Sequence, residues 1–116
     1  MPIPSGSGTE VIKYAKLTSL TNSWTTLKTG EADHIYTVLS IYVTNAEATT
    51  ENFSLAFTDN EGTSNIVYLM QEQPLGPRDT YIINDRFGWD GTKRLRIITG
   101  DSANVNVYMT YIDQHF

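Results

Sequence analysis

The sequence predicts an all-β domain, a single antiparallel β-sandwich of jelly-roll-like type with about eight strands. Three observations carry this. Thr, Tyr, Val and Ile are abundant, and these types suit a pleated, half-buried surface. Apolar residues alternate in several runs, which is the period of a strand. Turn-forming clusters separate the runs at short spacing, and Ala46–Thr50 is too short and too Thr-rich to make a helix.

The strands expected in order are Val11–Ser19, Ser23–Lys28, His34–Asn45, Glu51–Thr58, Asn65–Gln71, Thr80–Asn84, Lys93–Thr99 and Asn104–Asp113. Phe53, Leu55 and Phe57 share one face, with Ser54, Ala56 and Thr58 on the other. Val105, Val107, Met109 and Tyr111 share a face against Asn104, Asn106, Tyr108 and Thr110. Leu95 and Ile97 alternate with Arg94, Arg96 and Ile98. The turns fall at Asp59-Asn60-Glu61-Gly62, Pro74 to Pro77, Asp90-Gly91 and Gly100-Asp101-Ser102. Asp90-Gly91 lies between Phe87-Gly88-Trp89 and Lys93–Ile98, which predicts a hairpin.

Two strands depart from simple alternation. In His34–Val43, Ile35, Thr37, Leu39, Ile41 and Val43 fall on one face, and Tyr36, Val38, Ser40 and Tyr42 on the other. Ile66–Met70 is also apolar on both faces. Such strands are expected to be covered twice, by the chain's own loops or by a neighbouring subunit.

The chain has 116 residues and no cysteine, so one domain is expected, and it must stand on packing alone. The formal net charge of −5 argues against nucleic acid as a partner. No apolar run approaches the ~18 residues of a membrane span. Residues 1–10 lack the basic start and apolar stretch of a secretory signal, so synthesis in a host cytoplasm without a cleaved leader is expected.

Catalytic equipment is scarce in the sequence. His34 and His115 are the two histidines, and no His/Cys/carboxylate spacing matches a zinc site. Both are expected to be surface or interface residues. There is no Gly-x-Ser-x-Gly elbow, and Ser5-Gly6-Ser7-Gly8 lacks the preceding strand and following helix of a phosphate loop. Glu31/Asp33 and Asp59/Glu61 read as turn carboxylates rather than a calcium loop. The expectation is therefore a non-enzymatic protein without cofactor or metal.

Residues 1–10 are rich in Pro, Gly and Ser and predict an extended arm ahead of a sandwich spanning 11–116. Such an arm is expected to lie on another chain, with Ile3 and Val11 as apolar anchors. The candidate partner-binding residues are Ile3, Pro4, Ser5, Gly6, Ser7, Gly8, Thr9 and Val11 in the arm, with Tyr36, Tyr42, Arg94 and Arg96 on the body. Arg94 and Arg96 form a small basic stripe, suited to acidic residues of the chain itself or of a partner. A different reading takes the rings of Trp24, Trp89, Tyr14, Tyr36, Tyr42 and Tyr108 for a sugar platform, with Trp89 beside Asp90-Gly91 the best candidate.

The segments Ile3–Val11, His34–Ile41, Asn84-Asp85-Arg86-Phe87 and Tyr108–Asp113 resemble small virion proteins of tailed bacteriophages. That resemblance implies a β-sandwich capsid decoration or cement protein. Its partners would be the major capsid protein and further copies of itself, a trimer being favoured. It also leaves open a place at a neck, tail or fibre base, or a receptor-binding role. No functional residue carries over by motif.

Overall fold

The computed structural model describes residues 9–60, 65–100 and 104–115. Among these, nine strands form: β1 (Thr9–Leu17), β2 (Thr25–Thr29), β3 (His34–Asn45), β4 (Glu51–Asp59), β5 (Val67–Leu75), β6 (Thr80–Ile83), β7 (Phe87–Asp90), β8 (Lys93–Thr99) and β9 (Val105–His115). One sheet runs β1-β9-β3-β6, with β7 also on β3; the second runs β2-β8-β4-β5. β6 pairs with Ile41–Thr44 and β7 with Ile35–Val38, so the two lie end to end along β3. They occupy a single strand position, interrupted at Asn84-Asp85-Arg86. Each sheet therefore has four positions, which is the eight-position plan of a jelly roll.

That interruption adds β7 to the eight expected strands, at the place where Phe87-Gly88-Trp89 is expected to lead into a hairpin. The hairpin itself does not form. β7 belongs to the β1 sheet and β8 to the β2 sheet, so Asp90-Gly91 carries the chain from one layer to the other. The turn is still built by its Asp: Oδ1 accepts from the Thr92 amide at 2.9 Å and from the Thr92 hydroxyl at 2.6 Å. The Asp59–Gly62 and Gly100–Ser102 turns run into 61–64 and 101–103, outside the described residues.

Strand β3 resolves the two-faced pattern by a different device from the expected double cover. Its register against β9 shifts between Val38 and Ser40, which makes Leu39 an extra residue. A bulge exchanges the faces of everything beyond it. Tyr36 and Val38 point inward before it, and Ile41 and Val43 point inward after it. Alternation is thus kept on both sides of a single slip.

The inner layer joins Tyr36, Val38, Ile41, Val43, Val107, Met109 and Tyr111 to Leu27, Phe53, Leu55, Leu95 and Ile97. Each fully buried aliphatic side chain here contributes roughly 1.5–3 kcal/mol of transfer free energy. Trp89 stands between the layers, 4.8 Å from the Tyr36 ring and 5.3 Å from the Phe57 ring.

In β4 the outward residues Ser54, Ala56 and Thr58 are buried as well. Ala56 is the cross-strand partner of both Tyr68 and Arg96, and the Trp24 ring meets Tyr68 at 6.1 Å. Large side chains from the flanking strands thus enclose small ones in the middle.

Two of the four sheet edges, β5 and β1, differ. β5 carries two register shifts against β4, a positive φ of 50° at Glu72, and Pro74. Bulges and proline blunt an edge against further pairing. Its Val67, Tyr68 and Leu69 are exposed, so the double cover expected for this stretch is not supplied by the described residues. β1, in contrast, pairs with β9 in unbroken register from Thr9↔His115 to Leu17↔Val107.

Candidate functional site

Because β1, β9 and β3 are neighbours in register, their outward residues form a continuous surface. Tyr14 lies beside Thr110, Lys16 beside Tyr108, and Tyr108 beside Tyr42. Tyr14 is 60% exposed, and Tyr42 and Tyr108 are each 42% exposed. The Tyr14 and Tyr108 rings are near-parallel, with interplanar angle 14° and centroids 5.5 Å apart. Ile12 and Ile82 extend the row at either side. A groove adjoins the rings, lined by Lys16, Leu17, Thr18, Tyr42, Thr44, Asn106, Val107 and Tyr108.

The expected body residues are divided by the fold. Tyr42 belongs to this outer face. Arg94 and Arg96 lie on the opposite face of the sandwich, on β8. There Arg94 Nε donates to Thr58 Oγ1 at 3.4 Å, and Arg96 Nη2 donates to the Trp24 carbonyl at 3.1 Å. Burial, with the Arg94 charge beside it, lowers the Arg96 pKa from its ordinary value. Tyr36 is corrected outright. It is fully buried in the core, its hydroxyl accepting from the Glu31 amide at 3.0 Å, and it offers no surface to a partner. Trp89 is corrected as a sugar platform: it is 8% exposed, and its indole N–H donates to the Lys93 carbonyl at 3.1 Å.

Of the expected arm, Ile3, Pro4, Ser5, Gly6, Ser7 and Gly8 lie outside the described residues. Thr9 and Glu10 already belong to β1, paired with His115 and Gln114, so the sheet begins before the expected boundary. Val11 is exposed on the same strand.

Topology also assembles a polar cluster that sequence spacing hid. The start of β3 meets the end of β9, so His34 stands opposite His115 and Tyr36 opposite Asp113. Asp113 is 3% exposed; His34 Nδ1 lies 2.6 Å from its Oδ1, and Lys13 Nζ donates to its Oδ2 at 3.0 Å. Glu31 approaches His34 Nε2 at 3.9 Å and Lys28 at 3.6 Å. The His34 and His115 rings stack at 4.4 Å, and Lys28 Nζ sits 5.5 Å from the Tyr36 ring centroid.

Ligand-type atoms of Glu31, His34 and Asp113 lie within 4.8 Å of one another, which corrects the expectation of no such grouping. The two lysines already neutralise both carboxylates, so the cluster is a satisfied structural latch. His34 and Asp113 lie 79 positions apart, a separation that no local motif spans.

No family model and no curated protein sequence matches the chain. Solved structures do match in fold. One is the infectious bursal disease virus Gx strain structure, with TM-score 0.53 and 9% identity, covering 92% of this chain and 36% of that one. The chain thus spans about a third of that protein's length. A second is a Bacillus endospore appendage protein of disulfide-linked pili, with TM-score 0.50 and 12% identity over 99% and 95% of the two chains. A third comes from the acid-stable capsid of Helicobacter pylori bacteriophage KHP30, with TM-score 0.50 and 11% identity over 91% of each chain. At these identities the likeness establishes the β-sandwich fold.

Proposed function

We propose that this chain is a structural protein of a bacteriophage virion, a decoration or cement subunit that binds the assembled shell. The observation that carries the reading is the near end-to-end fold match to a chain in a phage capsid structure. In that match the jelly roll is not a fragment of something larger. The long, regular β1 edge supports the same reading. Its outer side has no partner among the described residues, and an unblunted edge accepts another strand.

Residues 1–8 precede this edge in the sequence. Fully extended, they reach about 26 Å. Strap and edge together bind the lattice and not the free capsid subunit. Selective binding of one state stabilises that state by linkage. The partners are the major capsid protein and further copies of this chain, a trimer being the favoured assembly. No enzymatic step belongs to this proposal.

The test starts from virions of the source, stripped of this protein and then reloaded. Full-length chain is expected to rebind and raise the melting temperature of the shell. A chain beginning at Thr9 is expected to rebind less. Absence of the protein from purified virions would overturn the proposal, and undiminished rebinding of the shortened chain would remove the strap from it.

A further inference from the structure

We infer that the outer face of the β1-β9-β3-β6 sheet is a binding site for a neutral oligosaccharide, centred on Tyr14, Tyr108 and Tyr42. The inference goes beyond the virion role and needs different residues from the β1 backbone edge.

The first argument is the kind of apolar group exposed. The central row is made of tyrosines rather than aliphatic side chains. An aromatic face takes the C–H face of a pyranose ring, while the phenol at its tip stays wet. The stacked Tyr14 and Tyr108 rings, with Tyr42 next across the ladder, form an aromatic row running across the strands. A chain of linked sugars has the same repeating character.

The second argument is what lies beside the rings. Lys16, Thr44 and Asn106 line the adjoining groove. The Asn106 side-chain oxygen accepts from the Ser19 amide at 3.3 Å, which leaves the NH₂ as the group this side chain can offer as a donor. Thr44 and Thr80 share a hydrogen bond at 2.9 Å, as do Ser40 and Thr110 at 2.9 Å. This hydroxyl-lined surface has few converging polar groups beside an apolar platform, which is the make-up of a small-ligand site.

The third argument is charge and extent. Glu10 and Lys16 are the only ionisable carboxylate and amine on the outward positions of β1, and they oppose each other in sign. Asp90 on β7, opposite Ile35, lies on the same face at its far end, so the strand positions around the tyrosines hold no cluster of one sign to select an anionic polymer or a basic peptide. A stable protein dimer buries about 800 Å² on each partner. The exposed apolar positions reach two side chains along β1, Ile12 and Tyr14, and are interrupted by the hydroxyls of Ser40, Thr44, Thr80 and Thr110, which suits a narrow ligand better than a second copy.

The test uses full-length protein on an array of neutral and anionic hexasaccharides, followed by titration calorimetry with the best neutral binder. Binding by at least one neutral hexasaccharide, weakened about tenfold in Tyr108→Ala and retained in Tyr108→Phe, is expected. Tyr108 is exposed, so the fold is retained in both variants; circular dichroism checks this. Preference for anionic glycans overturns the inference, as does binding indifferent to Tyr108→Ala. Absence of binding with a change in oligomeric state or shell occupancy in Tyr108→Ala also overturns it and assigns the face to protein contact. Loss of glycan binding with intact shell occupancy separates this site from the virion role.

Discussion

His34 Nδ1 lies 2.6 Å from Asp113 Oδ1, joining the first residue of β3 to the buried end of β9. Burial pushes the Asp113 carboxyl up, but hydrogen bonds and charge from His34 and Lys13 overcome this and hold it below its ordinary value. A carboxyl lowered in the folded state adds stability above its unfolded pKa, near 4, and loses it as pH falls through the folded value. Asp113→Asn is expected to cost about 2 kcal/mol at pH 7, with the gap to wild type narrowing below about pH 4. Urea melts at pH 7, 5 and 3 measure it, and a gap that does not change with pH would refute the latch.

Asn45 is fully buried and acts as a polar hub. Its amide donates to the carbonyls of Thr49, Leu75 and Gly76 at 2.7, 3.2 and 3.1 Å, and its oxygen accepts from the Glu47 amide at 2.9 Å. It ties the end of β3 to the turn after β5. Asn45→Ala strands several carbonyls and is expected to cost about 3 kcal/mol by chemical denaturation. Asn45→Asp places a carboxylate against those carbonyls, so its stability is expected to recover as pH is lowered.

Gly91 sits where the β7–β8 crossing passes the β2–β3 loop. A Cβ there would lie 2.1 Å from the Glu31 carbonyl oxygen. Asn60 Nδ2 bridges the same place, donating to the Gly91 carbonyl at 2.7 Å and the Gly30 carbonyl at 3.2 Å. Backbone faces backbone here, so the clash cannot be relieved by a rotamer. Gly91→Ala is expected to lower stability by about 2 kcal/mol in thermal melts. Gly76→Ala, whose near neighbour is the Asp79 side chain, is expected to cost less.

The Tyr36 phenol is pushed up to about 12, chiefly by burial. In Tyr36→Phe the latest step of the ultraviolet phenolate titration is expected to disappear. The variant also loses the acceptor of the Glu31 amide, at a cost of about 1 kcal/mol. An unchanged alkaline titration would contradict the buried placement.

Within the local period, much was legible. The inward set Val105, Val107, Met109 and Tyr111 is read directly from alternation and is buried. The span His34–Asn45 has the same ends in sequence and structure. Its faces were not legible, because a single inserted residue at Leu39 reverses which neighbours point inward. That reversal puts Tyr36 inside instead of on a partner-facing surface, and Trp89 is packed beside it because Asp90-Gly91 crosses between the layers instead of closing a hairpin. Tyr14, Tyr42 and Tyr108 were legible only as separate candidate rings; that they form one row was not, since they come from three strands distant in the chain.

The amino-acid sequence alone determined the β class, the strands built on clean alternation, and the turns, because these depend on residues a few positions apart. Tertiary structure decided which sheet each strand joins, whether a turn closes a hairpin or crosses between layers, and which side chains meet. Pairing, bulges and burial are set by contacts between segments far apart in the chain. His34 and Asp113, Asn45 and Leu75, and the exposed tyrosine row exist as sites only once the two layers close on each other.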